Sequence, residues 1–436
     1  MTTATSATFE PCGSIAASIR PPGSKSLTNR AIVCAALASG RSRLSGVLDS
    51  EDTQVMVEAW RQLGLELTHD KALRILDVVG CGGKIPKPAA DLYVANSGTT
   101  IRFLCAALSA CGGNYRLHGV ERMHSRPIGD LLTALEALGA TVHRLNSDQA
   151  DCPPIRIETS GLHGGEASVK GNISSQFLSG LMMAAPLCEA DTELQITGAL
   201  VSVPYVEMTS SVMESFGARV KTDLPRSLAV ESAGYRGTEY AIEPDASAAS
   251  YFWAAAAICG GTARVEGLTE SSLQGDVGFC RVLEQMGCAV EYQEDSIEVR
   301  GDRRLRGVDV NMADISDTVQ TLAAVAMFAE GPTTVTGVAH NRVKETDRIG
   351  DLATELRKFG AEVEEFEDGF KLTPPKQTES AEVETYHDHR MAMSLSLVGL
   401  RMPGVKILDP GCTAKTYPDF WAEMSGFVGT RVCWGD

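Results

Sequence analysis

Runs of small apolar residues recur along the chain at a nearly constant interval, each in the same setting. The first spans Ser26 to Val47: a polar start, an alanine-rich stretch, a glycine, then a short segment closing on Gly-Val. The form returns in SGTTIRFLCAALSACGGNYRLHGV from Ser97, SSQFLSGLMMAAPLCEADTELQITGA from Ser174 and DASAASYFWAAAAICGGTARVEGL from Asp245. Two more copies are SDTVQTLAAVAMFAEGPTTVTGV from Ser316 and DHRMAMSLSLVGLRMPGVKIL from Asp388, and the starts lie about 71 to 77 residues apart. Self-similarity at a fixed period marks a repeat architecture. Between the runs a second phrase recurs as WRQLGLEL, LEALGATV, MESFGARV, LEQMGCAV and LRKFGAEV. It predicts an amphipathic helix ended by a left-handed glycine (Gly64, Gly139, Gly217, Gly287, Gly360) and followed by a strand. FWAEMSGFVG reads as a worn sixth copy.

The chain is therefore expected to hold six copies of a unit with two helices and several strands. Its 436 residues exceed what one core usually organises, so two domains of three copies each are predicted. Pro244 interrupts the pattern between the third and fourth copies. The strand before the first copy, roughly Gly13 to Arg20, has no partner in its own copy, and the last copy looks short of closing strands. The N-terminal strand is thus expected to complete the second domain, giving domains 23-243 and 1-22 plus 244-436, with the two crossings at Pro21-Pro22 and near Pro244 forming a hinge.

Composition narrows the function. Hydrophobic residues at 44% and charged ones at 22% describe a globular chain. A net charge of -17, from 56 acidic against 39 basic residues, excludes a broad nucleic-acid surface, so local basic spots point to a small anionic ligand. No apolar stretch has membrane length and MTTATSATFE lacks the form of a signal peptide, so a cytoplasmic location is expected. The twelve cysteines show no CxxC pair or zinc spacing and read as buried reduced thiols.

Those basic spots fall at the starts of the apolar helices, where unpaired N–H groups and the dipole favour anions. Lys25, Ser26 and Arg30 lie there in copy one, Asn96, Gly98 and Thr99 in copy two, and Ser174, Ser175 and Gln176 in copy three. Asp317 belongs to copy five, His389 and Arg390 to copy six. Serine and aspartate alone are ordinary caps; lysine or arginine at a positive dipole end asks for an anion. Equivalent helices running parallel would gather these starts at one end of each domain, and two facing domains would enclose a cleft. Arg126 before Pro127 is held extended. Lys344 and Arg348 are four residues apart, on one face if helical, with Glu345 between them. Lys415 reads as a loop lysine.

In order along the chain, PPGSKSLTNR, NSGTTIR, SRPIGDLL, ISSQFLSGLMMAAP, RVKETDR, DHRMAMS and DPGCTAKTYPDF resemble the 5-enolpyruvylshikimate-3-phosphate synthase family. The resemblance implies an α/β fold, a two-domain inside-out α/β barrel of six βαβαββ repeats, with the active site in the cleft. It implies transfer of the enolpyruvyl group of phosphoenolpyruvate to the 5-hydroxyl of shikimate 3-phosphate by a monomer, with no metal, cofactor, nucleic acid or membrane. Carried over, Lys25, Ser26, Arg30, Ser174, Ser175, Gln176, Ser202, Asp317 and Lys344 would hold shikimate 3-phosphate, with Tyr205 against its ring. Lys25, Gly98, Arg126, Gln176, Arg348, Arg390 and Lys415 would hold phosphoenolpyruvate. Asp317 would be the base, Glu345 the proton donor, and Lys25 an aid to the departing phosphate.

Two positions depart from the family pattern. Phe103 stands where proline is common, a position that bears on glyphosate binding, and His340 followed by Asn341 stands where asparagine is common four residues before Lys344. The sister transferases acting on UDP-N-acetylglucosamine carry Lys-Asn in place of Lys25-Ser26 and a reactive cysteine near Arg126, which ERMHSRPIG lacks. A non-catalytic anion-binding protein would need the cations but not Asp317 and Glu345 together.

Overall fold

The computed structural model describes residues 4–377 and 379–435. The chain divides into a contiguous unit, Gly23–Glu243, and a composite unit made of the residues up to Pro22 and those from Pro244 onward.

The contiguous unit holds three helix pairs: α1 (Lys25–Leu37) with α2 (Glu51–Gln62), α3 (Gly98–Cys111) with α4 (Gly129–Ala137), and α5 (Ser175–Ala184) with α6 (Val203–Ser215). The first helix of each pair is rich in small apolar residues on all sides, so it is buried almost throughout. α3 packs on both α1 and α5. Each pair accompanies a four-stranded sheet in which one edge strand runs parallel to its neighbour and the remaining pairings are antiparallel. The second sheet shows the pattern plainly: Ala89–Tyr93 lies parallel to Gly113–His118, which pairs antiparallel with Ile155–Thr159, which pairs in turn with Thr141–Arg144. In the first sheet the parallel edge is Glu239–Ala241, beside Ser39–Ser45, so the end of the third repeat closes the first.

The composite unit repeats the plan with α7 (Ala246–Cys259), α8 (Phe279–Gln285), α9 (Val319–Ala326), α10 (Gly350–Lys358), α11 (His389–Gly399) and α12 (Phe420–Val428). α7, α9 and α11 pack on one another and are buried along their whole lengths. Two of the strands come from the start of the chain. Ile15–Ile19 is the parallel edge beside Gly261–Glu266, with Ile15 opposite Gly261. Ser6–Phe9 lies antiparallel between Lys406–Leu408 and Val432–Gly435. The sixth copy is therefore not short of closing strands, because Ser6–Phe9 and Val432–Gly435 supply them.

Five of the six buried helices start on a side-chain cap. Ser24, Ser97, Ser174, Asp245 and Asp388 accept N–H groups from Leu27, Thr100, Gln176, Ala248 and Arg390. The fifth copy differs: Ala313–Thr318 forms a 3-10 turn broken at Ile315, and α9 begins only at Val319. Asp317 consequently projects from a tight turn ahead of the helix.

Candidate active site

Each unit gathers polar groups from its helix starts. In the composite unit the centre is the Asp317 carboxylate. Lys344 Nζ donates to it at 2.7 Å, Arg390 Nη2 at 2.8 Å and Arg348 Nη1 at 3.3 Å. Arg390 is the second residue of α11, so its place follows from the Asp388 cap. Lys344 and Arg348 do not lie on a helical face, so the condition under which their spacing would align them is not met. The 3-10 turn Ala339–Val343 ends before Lys344, α10 starts at Gly350, and the segment between is a loop. The Asn341 amide ties this loop to the Asp317 turn by donating to the Ser316 carbonyl at 3.0 Å.

Arg348 is the hub behind Asp317. Its Nε and Nη2 donate to the two oxygens of Asp388 at 2.7 and 3.1 Å, and Nη2 lies 2.9 Å from Glu345 Oε2. A planar fork suits this double grip. Asp388 is fully buried and also caps α11. Burial works against the Arg348 charge, yet Asp388, Glu345 and Asp317 outweigh it and its pKa is raised. Burial also lowers the Lys344 pKa, a shift that Asp317 partly opposes. Lys415, itself buried, ends a 3-10 turn where the sequence suggested an ordinary loop, and its Nζ stands 3.7 Å from Glu345 Oε1.

The cations at helix starts are thus partly answered from within. Arg390 meets Asp317, and Lys25 Nζ lies 3.6 Å from Asp52. The sequence reasoning that assigned their anion to a ligand alone overlooked both carboxylates, which lie 73 and 27 residues away along the chain.

Two further buried groups set a pH signature. His340 is held neutral: burial, then Lys344, pushes its pKa down to about 3. Asp276, bonded by the Ser247 hydroxyl, is pushed up to about 7 by burial and by Asp317. Unfolding lets His340 take up a proton below about 6.5, so its contribution is full above that pH and is lost toward 3. Unfolding makes Asp276 release its proton above about 3.9, so its contribution is full below that pH and is lost toward 7. The two slopes oppose one another between about pH 4 and 6.5. Relative to the parent protein, His340→Gln is expected to make the unfolding free energy rise less, or fall more, as pH rises through this window, and Asp276→Asn to do the opposite. Urea unfolding at several pH values checks both; parallel profiles for the two variants would refute the assignment.

In the contiguous unit, Gly98 is the first residue of α3. A Cβ there would sit 2.5 Å from Arg126 Nη2 and 2.6 Å from Arg102 Nη1, so the bare glycine makes room for two guanidinium groups. Arg126 Nη1 donates to the Asn96 carbonyl at 2.8 Å. Arg102, which the sequence reasoning passed over, donates to Gln176 Oε1 at 2.8 Å and to the Pro127 carbonyl at 2.9 Å. With Oε1 occupied, Gln176 presents its NH2 as a donor. Ser174 caps α5, Ser175 follows it, and Ser202 adopts a left-handed φ of 56° at the start of α6, whose first turn carries Tyr205.

Arg30 is set apart by its burial. It is 1% exposed, and it donates to uncharged oxygens: Thr209 Oγ1 at 2.7 Å, the Ser26 carbonyl at 3.0 Å, Ser179 Oγ at 3.2 Å and the Tyr205 carbonyl at 3.3 Å. Burial draws its pKa down to about 10, so it remains a cation at neutral pH.

Comparison with known proteins places these residues in context. The profile of the EPSP synthase (3-phosphoshikimate 1-carboxyvinyltransferase) family matches residues 9–424. A 3-phosphoshikimate 1-carboxyvinyltransferase of Nostoc punctiforme is 48% identical over 94% of this chain and 95% of its own. The chloroplastic protein of that name from Arabidopsis thaliana is 46% identical over 95% of this chain and 83% of its own. Among solved structures, EPSP synthase from Acinetobacter baumannii superimposes with a TM-score of 0.81 at 27% identity, covering 98% of this chain and 99% of the other.

Proposed function

The chain belongs to the EPSP synthase (3-phosphoshikimate 1-carboxyvinyltransferase) family, and from that premise we propose how its residues divide the work. The enzyme transfers the enolpyruvyl group of phosphoenolpyruvate to the 5-hydroxyl of shikimate 3-phosphate, a step of the shikimate pathway toward chorismate and the aromatic amino acids. The contiguous and composite units are its two enolpyruvyl transferase domains. Lys25, Ser26, Arg30, Ser174, Ser175, Gln176, Ser202, Asp317 and Lys344 hold shikimate 3-phosphate, with Tyr205 beside its ring. Lys25, Gly98, Arg126, Gln176, Arg348, Arg390 and Lys415 hold phosphoenolpyruvate. One chain carries the residues for both substrates, which supports a monomer; the cytoplasm is the compartment this reading assigns.

The observation that carries the reading is the convergence of Lys344, Arg348 and Arg390 on one carboxylate, Asp317. Three cations occupy the oxygens through which that carboxylate would take a proton. Phosphate and carboxylate groups of the substrates compete for the same cations, and as they draw them away an Asp317 oxygen is freed to accept. It then takes the hydrogen of the 5-hydroxyl as that oxygen bonds to C2 of phosphoenolpyruvate, while Glu345 gives a proton to the C3 methylene. In the second step the bond from C2 to the phosphate oxygen breaks. Glu345 recovers a proton from the C3 methyl, the proton on Asp317 leaves with phosphate, and Lys25 steadies the departing oxygen. The surrounding cations stabilise the charged intermediate.

Phosphate release on mixing the protein with phosphoenolpyruvate and shikimate 3-phosphate tests the reaction; turnover with UDP-N-acetylglucosamine in its place would overturn it. Glu345→Gln keeps the shape and removes the proton, and is expected to lower kcat by about 10²- to 10⁴-fold while shifting both substrate dissociation constants only a few-fold. A loss seen chiefly in KM would make Glu345 a holder of Arg348 and Lys415 and not the proton donor.

A further inference from the structure

Arg30 has five N–H donors and four bonds, so one hydrogen on Nη1 has no partner among the described residues. No carboxylate lies within ion-pair distance of it among those residues either. A buried cation without a counter-ion is costly, and besides its four uncharged oxygens this one is flanked by two aromatic rings. The Phe103 ring centroid lies 5.2 Å from the guanidinium carbon and the Tyr205 centroid 5.8 Å, both within the range of cation–π attraction. Tyr205 and Thr209 approach from α6, whereas Phe103 is fully buried and comes from α3.

We propose that Phe103 is a positioning residue for shikimate 3-phosphate: its ring supports the buried charge of Arg30 and holds the guanidinium plane so that the unused Nη1 donor meets an anionic group of that substrate. This rests on the reading that Arg30 holds shikimate 3-phosphate. The ring contributes because its face carries negative charge density, which an aliphatic side chain of similar size lacks. Without it Arg30 stays buried but is less well stabilised and less well directed. Gly98 begins the same helix one and a half turns earlier and makes room for Arg126 and Arg102. The two positions on α3 therefore serve different anions, Phe103 through Arg30 and Gly98 through Arg126.

The test compares Phe103→Leu, which retains bulk, with Phe103→Tyr, which retains the ring. The leucine variant is expected to weaken shikimate 3-phosphate binding about 5- to 30-fold with a far smaller change in the KM for phosphoenolpyruvate, and the tyrosine variant to restore most of the affinity. In an Arg30→Ala background, Phe103→Leu should add little, because the partner of the ring is gone. If the leucine variant does not fold, fluorinated phenylalanines at position 103 keep the shape and weaken the ring face stepwise. The dissociation constant for shikimate 3-phosphate should then rise with each fluorine. Equal losses for both substrates, or affinity indifferent to fluorination, would overturn the proposal and leave Phe103 a packing residue. Arg30→Ala with unchanged shikimate 3-phosphate affinity would instead remove the premise about Arg30 itself, an outcome distinct from failure at Phe103.

Discussion

With Asp317 changed to asparagine, kcat is expected to fall by about 10²- to 10⁴-fold, the range of a positioned general base, while substrate binding holds or tightens. The asparagine fills the same turn ahead of α9, and its one oxygen can still accept from Lys344 and Arg348, while the NH2 in place of the other oxygen gives up the bond from Arg390. What disappears is one negative charge among three cations. The phosphate and carboxylate groups of the substrates then no longer compete with an internal anion, and equilibrium dissociation constants should stay level or drop. Isothermal titration with each substrate beside single-turnover kinetics separates the two effects. A variant with weakened binding and near-normal single-turnover chemistry would show that Asp317 arranges the cations but takes no proton.

Replacing Arg348 by alanine is expected to cost about 3 to 5 kcal/mol of stability, the usual cost of leaving buried charges without their partner. The guanidinium links three carboxylates, and two of them, Asp388 and Glu345, have side chains 0% and 8% exposed. Losing it strands Asp388, which also caps α11, so the damage should spread into the start of that helix and displace Arg390. Urea unfolding followed by tryptophan fluorescence reports on this unit through Trp253, Trp421 and Trp434. Hydrogen exchange at the first turn of α11 reads the local loosening. A loss below about 1 kcal/mol would mean that Lys415 takes over Glu345 and that Asp388 finds another donor.

The repeat, the helix starts and the polar residues gathered at them could be read from the sequence because their signals are local. A serine or aspartate cap next to an apolar helical run is written in adjacent residues, as at Ser24, Ser97 and Asp388. The glycines after the second helices do have positive φ, from 86° at Gly360 to 108° at Gly139. The segment Lys344 to Arg348 was legible as a group but not in shape. Asp347 accepts the N–H groups of Ile349 and Gly350 and pairs with Arg342, so it starts α10 after Arg348 and leaves the cations on a loop. Asp388 was visible only as a helix start. Its grip on Arg348, like the pairing of Lys25 with Asp52 and of Arg102 with Gln176, is made across the fold and leaves no periodic trace. Ser6–Phe9 escaped for the same reason: four residues in SATFEP carry no alternation strong enough to announce a strand, and both partners lie near the far end of the chain.

That strand has a consequence for how the protein is made. The contiguous unit has every strand it needs once synthesis has passed Ala241, and can complete its sheets while the rest of the chain is still being translated. Ser6–Phe9 and Ile15–Ile19, translated before any of it, stay without their neighbours until Gly261, Lys406 and finally Val432 have left the ribosome. The earliest strands are among the last to find their places, and for the time it takes to translate some four hundred residues they are open edges that a chaperone or another nascent chain could occupy.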